Sequence, residues 1–378
     1  MAALLTGAAD AAPPDVPGAR LEPVATAGLK GFPGADPARA LAAFRTVCTA
    51  PPPAQPQAAT ALGDPTDLAA ACAQAAGIAP AQAAAFFRDA FDAYRIVRSD
   101  GRPGFLTGYF EPELAGSLEP GPGFTAPVLA RPDDLVSLAP GETRPGLDPA
   151  LRAAKATADG FEPYPDRAAI EDGALGSRAK PILWLRDGID LLVLQVQGSG
   201  RVRLPDGTVV RVLYDGRNGR PYTAVAKLIV QAGHLPLEGL TLARWTDWLR
   251  AHPEEARSLI RQNASYIFFR LAPVEDPALG PPGAANAPLS PGVGLAVDAT
   301  LWRYGLPFWL EGAGSGRLTV AADTGSAIVG PARGDLFVGT GAEAGVAAGN
   351  LRDATGFVVL LPRAKGVPAG GTPVRGTP

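Results

Sequence analysis

Residues 317–339 read RLTVAADTGSAIVGPARGDLFVG. An apolar run ends at Asp323, Thr324-Gly325 turns the chain, and Asp335 opens a second apolar run directly after Gly334. Apolar runs bounded by Gly, Asp and Ser are strand signals. Two carboxylates at adjacent strand ends can approach one another, and such proximity raises one pKa and makes an acid available near neutral pH. The bland alternative is turn chemistry, because Asp before Gly satisfies backbone N–H groups at strand edges. A D-T-G-S loop also occurs in aspartic proteases, whose chemistry needs two such aspartates. This chain has one D-T-G and neither a second copy nor a D-S-G. Just beyond, GTGAEAG at 339–345 loosely follows a strand as a dinucleotide fingerprint does. Too little chain remains for a doubly wound sheet, and the following segment makes a poor helix.

Outward from this stretch, short strands alternate with turns at 294–298, 307–310, 335–338 and 357–361. Before them come a strand at 266–271 (YIFFRL) and helices at 223–232, 240–251 and 253–262, the last opened by Pro253, Glu254 and Glu255. From 101 to about 222 the signals are mostly β, apart from a helical stretch at 149–158. Asp187-Gly188 and Asp206-Gly207 read as hairpin turns, the first between ILWLR and IDLLVLQV. As a strand, the latter run puts Gln195 and Gln197 on one face. Helices are expected at 37–48, 67–75 and 80–97, where apolar residues recur at helical spacing. Residues 1–35 and 366–378 read as tails. The resulting expectation is a mainly β molecule with helices (α+β). One domain comes from 36–110 and 223–365, a small β-barrel is inserted at 111–222, and a cleft runs between them.

Composition narrows the function. The chain has 378 residues, enough for two domains, with 47 % hydrophobic and 19 % charged residues, so a sizeable core is expected. A formal net charge of -3 with no basic run argues against a nucleic-acid partner. No stretch reaches the roughly 18 apolar residues of a membrane span. Residues 1–12 are apolar without a positive start, and Ala9-Asp10-Ala11 has the form of a signal cleavage site. The two histidines, His234 and His252, have no metal partner at ligand spacing, so neither a metal nor a cofactor is expected. Cys48 and Cys72 are either small buried apolar residues or a disulfide tying two N-terminal helices in an oxidising compartment. Polar groups with less evident structural roles are Tyr109 and Glu111 in TGYFEP, Gln195 and Gln197 in LQVQGSG, and Asn263, Ser265 and Tyr266 in NASYIFF. The two glutamines suit either a sugar-binding face or a solvated one. Trp302, Tyr304, Phe308 and Trp309 suit either a core or sugar rings.

In order along the chain, the segments LKGFPGADPARALAAF, FLTGYFEPELAGS, YPDRAAIEDGAL, LLVLQVQGSGRVRLPDGT, NASYIFFR, PLSPGVGLAVDATLWRYGLPFWL and LTVAADTGSAIVG…GDLFVGTGAEAGVAAG resemble the membrane-bound lytic transglycosylase A (MltA) family. The resemblance runs from about residue 29 to 362. The part from about 291 to 362 looks like the 3D module, its three aspartates matching Asp298, Asp323 and Asp335. The resemblance implies a double-psi β-barrel with an inserted second barrel and a groove between them. It implies cleavage of the β-1,4 bond between N-acetylmuramic acid and N-acetylglucosamine in peptidoglycan, leaving a 1,6-anhydro end. Asp335 is then the acid/base, Asp323 its close partner and Asp298 a supporting member. Tyr109, Gln195, Gln197 and Ser199 are the expected groove contacts. The implied setting is the periplasm, with glycan strands and other cell-wall enzymes as partners of a monomer. Family members start with a lipoprotein signal and an anchoring cysteine. Neither is present here, which points to a soluble or loosely outer-membrane-associated enzyme, or to a truncated start. A non-catalytic glycan-binding module and a hydrolytic muramidase are the competing readings.

Overall fold

The computed structural model describes residues 15–53, 57, 61–139, 142–312 and 316–363. The cleavage-site motif at 9–11 and the C-terminal tail lie outside the described residues. The chain begins with strand β1 (Ala19–Pro23), helices α1 (Pro37–Thr49), α2 (Pro65–Ala76) and α3 (Ala83–Asp89), and strands β2 (Phe91–Arg98) and β3 (Gly104–Glu111). Asp36 and Asp64 cap α1 and α2 by accepting from first-turn N–H groups, and each is followed by Pro at the first helical position. Cys48 and Cys72 form a disulfide between these two helices, Cα–Cα 5.5 Å. The helix expected at 80–97 stops at Asp89. From Phe91 the burial period becomes two, with Phe91 and Ala93 in the helix-side core and Tyr94 and Ile96 against the other. The chain there pairs with β1, and the helical spacing before it had masked the switch.

The middle of the chain comprises β4 (Glu113–Ser117), β5 (Ala126–Leu129), β6 (Leu135–Ser137), β7 (Ala153–Thr157), β8 (Gly160–Pro163), α4 (Arg167–Glu171), β9 (Pro181–Leu185), α5 (Gly188–Gln197), β10 (Ser199–Arg203), β11 (Val209–Arg217), α6 (Val225–Gln231), α7 (Leu242–Ala251), α8 (Pro253–Arg261) and β12 (Ile267–Pro273). Its six-stranded sheet runs β12-β11-β10-β4-β9-β5, and β6-β7-β8 form a separate three-stranded sheet. Three readings are corrected here. The helix expected at 149–158 is strand β7, paired on both edges. Asp187 does not turn a hairpin but caps α5, accepting from Ile189 and Asp190 N–H. Its apolar run packs on two sides: Leu191 and Leu194 into the sheet core, Leu192 and Val193 against α6–α8, with Val196 exposed. A short helix with apolar residues packed on two sides carries little amphipathic period to read. Finally, β12 pairs with β11 from Val210↔Pro273 to Arg217↔Ile267, so the inserted unit continues past residue 222 to the end of β12.

The remainder adds β13 (Gly294–Val297), β14 (Pro307–Glu311), β15 (Arg317–Asp323), β16 (Arg333–Thr340), α9 (Gly341–Asn350) and β17 (Arg352–Pro362). The eight-stranded sheet runs β1-β2-β17-β14-β15-β13-β16-β3, and β17 also pairs with β3. Six strands, β3, β13, β14, β15, β16 and β17, therefore close on themselves as a barrel, which removes their free edges. Leu106, Leu295, Phe308, Ala321, Leu336 and Val359, one from each strand, share its core. The stretch after Gly339-Thr340, read as a poor helix, is helix α9. It is built of small residues because it lies close to β3: a Cβ on Gly108 would meet Ala348 at 2.9 Å, and one on Gly345 would meet Phe110 at 3.0 Å.

Candidate active site

Register alone brings the two aspartates together. Asp335 on β16 lies opposite Thr107 on β3 and, on its other side, opposite Ala296 on β13. Ala296 in turn lies opposite Asp323 on β15. The four residues form one row across four strands, which places the two aspartate Cα atoms about 9–10 Å apart. Alternation along β15 would aim Asp323 inward, two residues after the core residue Ala321. A bulge intervenes, because Leu295 pairs with Ala321 but Ala296 pairs with Asp323. The extra residue, Ala322, joins the outer cluster with Phe337, and Asp323 is turned to the outer face beside it.

The two carboxyls are held differently. Asp323 accepts from Tyr109 Oη (2.7 Å) on one oxygen and from the backbone N–H groups of Ala284 and Thr324 (both 2.9 Å) on the other. Asp335 Oδ1 accepts from Thr107 Oγ1 at 2.5 Å. No protein group among the described residues donates to Asp335 Oδ2. Burial pushes the Asp335 carboxyl up to about 6, with the negative charge of Asp323 adding to it and Thr107 and Arg333 opposing it. Burial also raises Asp323, against the three donors it accepts from. The Tyr109 phenol is pushed up by burial and by both carboxylates, so it stays a neutral donor. Its ring packs on Phe337, centroids 5.4 Å apart. The Tyr304 phenol, packed against the same outer cluster, is raised by burial and by the charge of Asp323.

Asp298 is buried and engaged on both oxygens. Oδ1 accepts from Thr300 N and Oγ1 (3.0 and 2.6 Å), and Oδ2 accepts from Gly330 N at 2.7 Å. It thus pins the turn that links Asp323 to Asp335. Gln195 and Gln197 lie on a helix, two residues and so about 200° apart, not on one strand face. Gln195 is 4 % exposed. Its Oε1 accepts from Arg167 at 2.6 Å and its amide donates to Ile267 O at 3.2 Å, so it cannot serve as a groove contact. Gln197 Oε1 accepts from Phe110 N–H at 3.3 Å, next to Tyr109, and Ser199 is half-buried at the start of β10.

Sequence reading passed over Thr107 and Arg333, although each stands two residues before a chosen residue and period two puts both on the same faces. It also left Glu111 unexplained. Glu111 is wholly buried where the barrel meets the insert, and it accepts from Arg201 Nε (2.9 Å), Arg211 Nε (2.6 Å) and Thr340 Oγ1 (3.0 Å). The same two guanidiniums donate to Leu279 O. A cavity of about 220 Å³ beside this cluster is lined by Glu113, Leu114, Ala115, Arg201, Arg203 and Val209. It includes neither aspartate.

Residues 105–270 match the model of the MltA specific insert domain, and residues 294–361 match that of the 3D domain. A crystal structure of a membrane-bound lytic murein transglycosylase from Agrobacterium tumefaciens aligns with a TM-score of 0.80 at 34 % identity, over 90 % of this chain and 97 % of that one. MltA from Neisseria gonorrhoeae aligns with a TM-score of 0.71 at 28 % identity, over 91 % of each chain. Membrane-bound lytic murein transglycosylase A of Vibrio cholerae is 32 % identical over 204 residues, 50 % of this chain and 53 % of that protein. The match spans about half the length of that curated relative.

Proposed function

Because the chain belongs to the MltA family, we propose that it is a lytic transglycosylase of peptidoglycan in which Asp335 is the single acid/base. The observation that carries this reading is the asymmetry of the carboxyl pair: Asp323 is engaged on both oxygens, whereas Asp335 Oδ2 has no protein donor among the described residues and its carboxyl is pushed up to about 6. Protonated Asp335 donates from Oδ2 to the glycosidic oxygen between N-acetylmuramic acid and N-acetylglucosamine. As that C–O bond breaks, positive charge develops on the muramic ring, and Asp323 lies close enough to stabilise it electrostatically. Asp335, now a carboxylate, takes the proton of the muramic C6 hydroxyl. The C6 oxygen closes on C1 to give the 1,6-anhydro end. The substrate thus supplies the second nucleophile that ordinary glycosidases take from another carboxylate or from water.

The place of action that fits this substrate is the periplasm, where the Cys48–Cys72 disulfide would also persist. No helix among the described residues is long and apolar enough to cross a membrane. Mass spectrometry of purified peptidoglycan after digestion tests the reading. Anhydro-muropeptides are expected. Reducing-end products would make the protein a hydrolase, and intact strands with retained binding would make it a glycan-binding module.

A further inference from the structure

We propose that Arg333 and Thr107 form a fixed donor chain that reserves Oδ1 of Asp335 as an acceptor and so confines the transferable proton to Oδ2. This rests on the reading of Asp335 as the acid/base. Thr107 Oγ1 lies 2.8 Å from Arg333 Nη2 and 2.5 Å from Asp335 Oδ1. A guanidinium has no acceptor, so the threonine oxygen accepts from Arg333 and its own proton is left for Oδ1. Donation into a charge-assisted chain of this kind is stronger than from an isolated hydroxyl. A proton on Oδ1 would break it, whereas a proton on Oδ2 leaves it intact.

The chain is anchored at its far end. Arg333 also donates to the carbonyls of Gly334 and Phe105, and its guanidinium lies over the Phe105 ring, 5.4 Å from the centroid. The whole array follows from strand geometry, since Arg333 and Asp335 alternate onto one face of β16 and Phe105, Thr107 and Tyr109 onto the matching face of β3. Arg333 is thus a positioning residue: it reaches the acid through a hydroxyl.

The other groups facing Asp335 do not duplicate it. Tyr109 from β3 is committed to Asp323, and Asp323 from β15 is an anion or a neutral acid, never a cation. Tyr304, a phenol raised by burial and by the charge of Asp323, brings no cation, and β13 contributes Ala296. Arg352 on β17 is opposite Thr107 in register but exposed to solvent. Removing the Arg333 charge leaves burial and Asp323 unopposed by a cation and moves the Asp335 midpoint upward.

The test is a carbon-detected NMR titration of the aspartate carboxyls, with Asp335 assigned by loss of its signal in Asp335→Asn. Wild type is compared with Arg333→Gln, Arg333→Lys and the isosteric Thr107→Val. The wild-type midpoint should lie near 6, and Arg333→Gln should raise it by roughly one pH unit. Arg333→Lys should restore most of the midpoint but not the orientation, so kcat stays low while KM is unchanged. Thr107→Val should raise the midpoint and lower kcat roughly tenfold to a hundredfold. It keeps the question answerable should Arg333→Gln not fold. An unmoved midpoint in both Arg333→Gln and Thr107→Val would overturn the donor chain. Retained turnover by Asp335→Asn would overturn the acid assignment instead, and the titration would still report on the chain.

Discussion

Two carboxylate sites share the β3–β16 strand pair and stand in opposite physical settings. At one end, Glu111 is completely buried and meets two guanidiniums and a threonine hydroxyl. Near the other end, Asp335 is half-buried, accepts a single hydroxyl bond, and has a second carboxyl for a neighbour. Burial against two guanidiniums makes Glu111 a fixed partner that joins barrel, insert and the 277–279 loop. Burial without that compensation gives a carboxyl that holds its proton to about 6 and can release it. On the proposed reading, a structural acid and a reactive one differ in their immediate partners, two guanidiniums for Glu111 against a hydroxyl and a second carboxyl for Asp335.

Glu111→Ala breaks the compensated site and should have the largest effect on folding. It strands two buried guanidiniums, an expected loss of about 3–5 kcal/mol in denaturant unfolding. A loss below about 1 kcal/mol would mean that water reaches the arginines and that the two sites are not opposites. Asp335→Asn should act on stability the other way and more weakly. The folded carboxyl titrates near 6 and the unfolded one near its ordinary value of 3.8. Between these, the native state binds more protons than the unfolded one, so stability falls as pH rises through that window and stays lower above it. Asparagine removes the deficit. With allowance for solvent screening, the variant should gain about 1–2 kcal/mol at pH 7.5 and nothing near pH 3.5. A gain that does not depend on pH would show that the carboxyl is not strained in the native state.

The barrel strands were legible because each is an apolar run cut by Gly, Pro or Asp, and the pair Asp323/Asp335 was legible because both stand at the ends of such runs. The bulge that re-aims Asp323 was not, since it depends on the register of β15 against β13. Helix α5 was hidden because its apolar residues pack on two sides and leave no wide polar face, and Asp187-Gly188 serves a cap as well as a hairpin. That misreading is also what put Gln195 in the groove. The Glu111 cluster was beyond reach because its arginines lie 90 and 100 residues away along the chain. Only the fold states that they meet.

The most direct measurement is single-turnover cleavage of purified glycan strands by Asp335→Asn beside Glu111→Gln, each normalised to its folded fraction. The expected result is a loss of roughly a thousandfold or more for Asp335→Asn with its fold intact, whereas folded Glu111→Gln stays within about tenfold of wild type. Turnover by Asp335→Asn within about tenfold of wild type would contradict the division between a reactive and a structural carboxylate.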